Sequence, residues 1–257
     1  MTEGPPDDPR EGEKSPAAAP EGGRLVFPGD LDDPWTVSHR QVVTRPEDFA
    51  LGERRRWQPP APLDVATLRR ALLPADRAAL QALAPVSSVL VPIYDFEGEL
   101  AVLLTRRSSS LSLDPGNISF PGGRVEAGEN PLDAALREAE EEVGLERAAV
   151  EVLGCLDLVE RVRDGQRVTS VVGLVHGGPE LAPNPAEVEA ALLVPLGALF
   201  AEGAAWTEHW GTARRAIRFF SHPVVLGEDL VWGLTARILW DLLERLEESA
   251  GGAATGD

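Results

Sequence analysis

The chain has a single cysteine, Cys155, so no disulfide can form within it. One thiol fits a reducing compartment. Basic residues are scarce: 24 lysines and arginines stand against 42 acidic residues, for a net charge of −18. That balance disfavours nonspecific attraction to nucleic acid or an anionic membrane. Long apolar runs are missing as well. The longest, residues 190–201, is too short to span a bilayer and contains Pro195. The first residues are acidic and polar, without the basic start and apolar core of a signal peptide. His39, His176, His209 and His222 are scattered, with no metal-ligand spacing. These absences lead to the expectation of a soluble cytoplasmic protein with no nucleic-acid or membrane partner. Were its ligand anionic, positive charge would have to be focused locally, by arginines, a divalent cation or both.

A length of 257 residues allows one domain with extensions, or two small domains. Residues 1–24 are rich in Pro, Gly, Ala and acidic side chains and are expected to be disordered. Residues 249–257 read as a second loose tail. Residues 25–62 carry Trp35 and Trp57, which favour burial, and read as an extension packed on a main domain of 63–248. Asp64 is placed to cap a helix carrying Val65, Leu68, Leu72 and Leu73. A second helical stretch spans 75–84. Strands are expected at 88–94, 100–105, 152–159, 168–175 and 217–220, with Asp164-Gly165 as a hairpin signal. An amphipathic helix is expected at 232–246, and Cys155 reads as a core residue. No repeat is visible, and the element order implies a mixed α/β domain.

The chemistry concentrates in residues 121–145. Pro121-Gly122-Gly123 forms a turn, Asn130 stands as an N-cap, and Pro131 fits the first helical position. Asp133 suits the positive helix end and Gly144 a left-handed stop. Leu132, Ala135, Leu136, Ala139 and Val143 share one face at helical spacing. Glu138 and Glu142 stack one turn apart, with Glu141 on the flank. Such like-charge pairs repel by about 0.2–0.5 kcal/mol each. A solvated acidic helix face is the bland explanation. A hard divalent cation would reverse the sign of the interaction, and Mg²⁺ prefers a few carboxylates completed by water and phosphate oxygens.

The order Gly123, Glu129, Arg137-Glu138, Glu141-Glu142, Gly144-Leu145 resembles the Nudix box at every defining position, with Ala139 and Leu145 at its apolar slots. The resemblance implies an α/β/α sandwich around a mixed sheet, with the box as loop–helix–loop. It implies hydrolysis of a nucleoside diphosphate linked to another group, with Mg²⁺ or Mn²⁺. Glu138 and Glu142 would be the main metal ligands, with Glu141 and the carbonyl of Gly123 assisting. Arg137 would orient the glutamates, and Glu129 would support the loop or ligate metal through water. Gly122 and Gly123 would lie against the substrate.

Upstream, Leu103-Leu104-Thr105-Arg106-Arg107-Ser108, Leu111, Gly116 and Phe120-Pro121-Gly122-Gly123 resemble the signature of the coenzyme A pyrophosphatase branch. Asn184, Glu187, Val188, Val194-Pro195-Leu196 and Trp232-Gly233-Leu234-Thr235-Ala236 extend that likeness; residues 1–60 take no part in it. The branch usually has His where Asp114 stands and Gln where Asn117 stands. The implied reaction splits coenzyme A into 3′,5′-ADP and 4′-phosphopantetheine, with Glu187, placed before an expected helix, or Glu141 as base. Of Arg106 and Arg107, adjacent strand residues on opposite faces, the motif favours Arg107 for substrate phosphates. Arg161, Arg163 and Arg167 flank the hairpin, and Trp206 and Trp210 stand four apart, as an adenine platform would. Two rivals stay open: hydrolysis of ADP-ribose or NADH, and a catalytically silent nucleotide-binding module. The implied partner is a small-molecule substrate, with a homodimer left open.

Overall fold

A computed structural model describes residues 23–25, 49–161, 164–210, 216–220, 226 and 229–251. The expected tail of 1–24 falls outside them except for Gly23 and Arg24, and so do Trp35, His39, Arg163 and His222. In chain order the strands and helices are β1 (Gly23–Leu25), β2 (Phe49–Arg55), α1 (Val65–Ala71), α2 (Arg77–Ala82), β3 (Ser87–Phe96) and β4 (Glu99–Arg107). Next come β5 (Ile118–Ser119), β6 (Gly122–Arg124), α3 (Pro131–Val143), β7 (Val150–Cys155), β8 (Val159–Glu160) and β9 (Arg167–Val175). The last are β10 (Val188–Pro195), α4 (Leu196–Leu199), β11 (Ala205–Trp210), β12 (Ile217–Phe220), β13 (Val231–Trp232) and α5 (Gly233–Gly251).

The main sheet is mixed, in the order β1-β10-β4-β3-β9-β7, with the short strands β5, β6 and β8 paired to β4, β3 and β9. β3 and β9 run parallel, and β4 is antiparallel to both β3 and β10. Central strands are buried on both faces, which is why residues 89–94 read as one apolar run. Alternate residues feed two cores. Leu90, Tyr94, Leu103 and Val171 pack with Leu132, Ala135, Ala139 and Val143 of α3. Val91, Ile93, Leu104 and Val172 pack with Leu68 of α1 and with Leu239, Leu242 and Leu243 of α5. The domain is thus the expected α/β sandwich.

A second sheet, β13-β12-β11-β2, has no counterpart in the sequence reading beyond β12. Its Ala205, Phe220 and Val231 share the α5 core. The 25–62 extension contributes β2 and then Trp57, 4% exposed, which stacks on Phe220 at 5.7 Å and meets Trp240 edge-on at 4.8 Å.

Several elements depart from expectation. Leu73 is not helical: α1 stops at Ala71, and Leu73 exchanges backbone hydrogen bonds with Cys155. Pro74 disfavours helical geometry at the residue before it. The expected 152–159 strand is two, β7 and β8, broken after Cys155. Glu187 precedes a strand, β10, rather than a helix. α5 runs through Ser249 to Gly251, three residues into the expected tail. Among the described residues, no helix is long and apolar enough to cross a membrane.

Candidate active site

α3 carries the site, and its ends are fixed locally. The Asn130 side chain accepts the Leu132 N–H at 3.1 Å, and its amide donates to the Arg77 carbonyl. Arg77 forms a forked pair with Asp133 at 2.5 and 2.6 Å, tying α2 to the first turn. Gly144 ends the helix at φ 70°, and its N–H meets the Glu140 carbonyl. The apolar face then sets rotation: with Ala135, Ala139 and Val143 against the sheet, Glu138 and Glu142 lie along the edge facing β6.

Arg137 is the hub on the exposed side. It pairs with Glu129 at 2.9 and 3.0 Å, Glu138 at 2.9 Å and Glu141 at 3.1 Å, and donates to the Arg124 carbonyl at 3.0 Å. Hydrogen bonding to Arg137 holds the Glu129 carboxyl below its usual range, and Glu129 in return raises Arg137. Glu141 is the most open of the set, its side chain 58% exposed.

Glu142 lies on the other side of the edge, 5% exposed, and accepts the Gly122 N–H at 3.2 Å. Burial pushes its carboxyl up to about 7; Gly122 and the charge of Arg107 oppose the rise, and Glu138 and Glu187 add to it. Burial likewise raises Glu138, against Arg137, with Glu141 and Glu187 reinforcing it. Glu138, Glu142 and Glu187 therefore feel one another. Gly123 is pressed against this cluster: a Cβ on it would stand 2.4 Å from the Glu138 carboxyl carbon.

The Glu187 loop is held by backbone. Ala182 and Asn184 donate to the carbonyls of Val143 and Glu142, the last of α3, and Ser108 N–H donates to the Glu187 carbonyl. A bulge follows, between Val188 and Ala190, where β10 meets Arg107 and Arg106 of β4. The charge of Arg107 reaches Glu142 and opposes the rise of its carboxyl. Arg106 turns away and forms a bidentate pair with Asp229.

The residues favoured for catalysis, metal and substrate phosphates are brought together here: Arg107, Gly122, Gly123, Arg137, Glu138, Glu141, Glu142 and Glu187. Other residues noted in the sequence lie elsewhere. Arg161 is paired with Asp164 across the hairpin, and Arg167 reaches the Ala84 carbonyl. Trp206 is buried, stacked on Phe219 and bonded to Glu208, so it offers no open platform. His176 is an exposed partner of Glu151. Cys155 is buried, as expected. Asp229, which holds Arg106 from 123 residues away, had no local signal in the sequence.

The donor set suits a hard divalent cation in kind: carboxylates, partly buried, mutually repulsive and short of compensating charge. Among the described residues no three such side chains are already gathered at ligand spacing. Arg137 occupies Glu138 and Glu141, so a cation here competes with a guanidinium.

Residues 84–216 match the NUDIX domain. Over 162 residues the chain is 35% identical to the uncharacterised Nudix hydrolase NudL of Photorhabdus laumondii, covering 63% of this chain and 84% of that protein. It is 37% identical over 163 residues to Nudix hydrolase 22, chloroplastic, of Arabidopsis thaliana, covering 60% and 52%. The match therefore spans about half the length of that plant relative. The mitochondrial coenzyme A diphosphatase NUDT8 of Homo sapiens is 36% identical over 178 residues, covering 66% and 72%. The chain belongs to the Nudix hydrolase family. Members of this family generally require divalent metal ions.

Proposed function

We propose that this chain hydrolyses the diphosphate of coenzyme A or its derivatives, releasing 3′,5′-ADP and 4′-phosphopantetheine or its acyl form. The supporting observation is that the Arg107 end of β4 and the Gly122-Gly123 turn, the two halves of the coenzyme A-type signature, meet at the Glu142 carboxylate. The likeness to the human coenzyme A diphosphatase points the same way.

Glu138 and Glu142 would hold Mg²⁺ or Mn²⁺, with Glu141 and the Gly123 carbonyl assisting. When bound, the cation offsets phosphate charge and acidifies water. Arg107 binds a phosphate oxygen beside Glu142. Glu187 takes the proton of the attacking water, being close enough to Glu138 and Glu142 to feel both charges, whereas Glu141 is engaged by Arg137. The new bond joins water oxygen to phosphorus; the bridging P–O bond breaks, and its oxygen leaves on the second phosphate. Arg137 orients Glu138 and stiffens the loop through Glu129. The protein acts in the cytoplasm in this reading.

A second reading, hydrolysis of another nucleoside diphosphate derivative such as ADP-ribose or NADH, is favoured by Asp114. This residue puts a negative charge, in left-handed backbone at φ 51°, on the loop that follows Arg107, and Arg161 feels it. A silent binding module would have no use for retaining all three helix glutamates. The test is turnover of coenzyme A, ADP-ribose and NADH with Mg²⁺ or Mn²⁺, with products identified by mass. Preferred release of 3′,5′-ADP and phosphopantetheine supports the proposal. Cleavage of the others alone replaces it with the second reading, and no cleavage at all overturns both.

A further inference from the structure

Arg106 stands next to Arg107 in the chain but on the opposite face of β4, and it is spent on an ion pair. Its Nε donates to Asp229 at 3.0 Å and a second nitrogen meets the other carboxylate oxygen. The Asp229 side chain is 2% exposed and that of Arg106 14%. A third nitrogen lies 3.6 Å from Glu189, the residue bulged out of β10. A buried forked pair of this kind has one geometry and resists sliding.

Its position gives it leverage. Asp229 precedes β13, which is hydrogen-bonded to β12 and so belongs to the second sheet. Three residues on, the Trp232 indole N–H donates to the Asn117 side chain at 3.4 Å. The Asn117 carbonyl accepts the Arg107 N–H, and the Gly116 N–H returns to the Arg107 carbonyl. Loop 108–117 is thus closed by the backbone of Arg107 and latched from outside by the 229–232 segment. On its other side Arg106 grips the β10 bulge, two residues beyond Glu187. A bulge re-aims the residues around it, and Ser108 N–H binds the Glu187 carbonyl.

We infer that the Arg106–Asp229–Glu189 ion-pair network, with the Trp232–Asn117 contact, is a positioning device that sets Arg107 and the Glu187 loop at the active site from the second sheet. It neither touches substrate nor ligates metal. The inference rests on the proposed hydrolase reading only for its kinetic consequence; the structural consequence stands without it.

The test uses the full chain carrying Asp229→Asn, which keeps shape and removes charge, with Asp229→Glu as the conservative partner. Glu247→Gln, which breaks the Arg55–Glu247 pair at the far end of α5, is the control for lost stability alone. Hydrogen exchange read by mass needs no substrate. In Asp229→Asn, amides of 106–119 and 184–189 are expected to exchange at least tenfold faster while α3 and β9 keep their protection. In the kinetics of whichever substrate the wild type turns over, KM is expected to rise at least fivefold. A mere loss of folded protein would lower apparent kcat and leave KM alone. Asp229→Glu should recover most of both effects, and Asp229→Asn should add nothing to KM in an Arg107→Ala background. Unchanged exchange in the two segments, acceleration spread over the whole chain, or an unchanged KM overturns the inference. A wild type that turns over nothing counts against the hydrolase reading, and the exchange result still decides the positioning device.

Discussion

The Glu142 carboxylate accepts the backbone N–H of Gly122, twenty positions earlier in the chain, and this bond joins the helix of the box to its glycine turn. Glu142→Gln keeps an acceptor for that N–H and removes a buried charge surrounded by Glu138 and Glu187. Turnover should fall roughly a hundredfold or more. In metal-free protein above pH 7, where the raised Glu142 carboxyl is charged, the variant should gain about 1 kcal/mol of stability and melt at a higher temperature. Thermal melts in chelator beside initial rates check both. A fall in activity accompanied by a large loss of stability would contradict the assignment.

The two glycines of the turn should fail differently. A Cβ on Gly122 would stand 2.6 Å from the Ser88 carbonyl oxygen and from the Val89 Cα, backbone atoms that cannot step aside. Gly122→Ala should therefore loosen β6 from β3, costing about 1–3 kcal/mol. The nearest atoms to a Cβ on Gly123 all belong to the end of the Glu138 side chain, at 2.4–2.6 Å, which can swing away. Gly123→Ala should melt near the wild type yet lose activity through a displaced Glu138. Denaturant titrations and rates on the two variants separate these outcomes.

Tyr94 is the chain's single tyrosine, which makes its ionisation readable by ultraviolet absorbance. Burial pushes its hydroxyl up to about 12. Because the folded value lies above the unfolded one near 10, the contribution to stability is fully present below pH 10 and is lost as pH rises towards 12, on the order of 2 kcal/mol. A tyrosinate transition near pH 10 in protein that is still folded would refute the burial argument. Cys155, raised by burial to about 11, should react slowly with thiol reagents at pH 8 until the protein unfolds.

Trp57→Ala tests whether the N-terminal extension belongs to the fold. It removes a ring packed between Phe200, Phe220 and Trp240. A loss of about 3–5 kcal/mol is expected. A melt within a degree or two of the wild type would show the extension to be an ornament.

What the sequence discloses is what short-range chemistry governs. Asn130, Pro131 and Gly144 mark α3 because caps act within a few residues, and the box spacing alone stacks Glu138 and Glu142 on one helix edge with Arg137 and Glu141 on its flank. The choice of Arg107 over Arg106 needed only strand alternation and the motif. β10 was missed because a strand buried on both faces shows no alternation and ends at Pro195-Leu196, where a short helix follows. The second sheet was obscured by its own charges: Arg54 and Arg55 end β2 with Arg56 just beyond it, and Glu208 lies at zero exposure in β11, held by the Trp206 indole. The pairing of Arg106 with Asp229 is a tertiary fact that no local pattern announces.

The backbone bonds from Ala182 and Asn184 to the last carbonyls of α3 bear on how relatives of this chain can diverge in length. They fix the start of residues 182–188, and the Ser108 N–H fixes their end at the Glu187 carbonyl, so a deletion between would pull the proposed base out of register with the helix. Just before, Gly177 and Gly178 stand in open space. Lineages should therefore accumulate their insertions at 177–181 and keep the count from 182 to 188 constant.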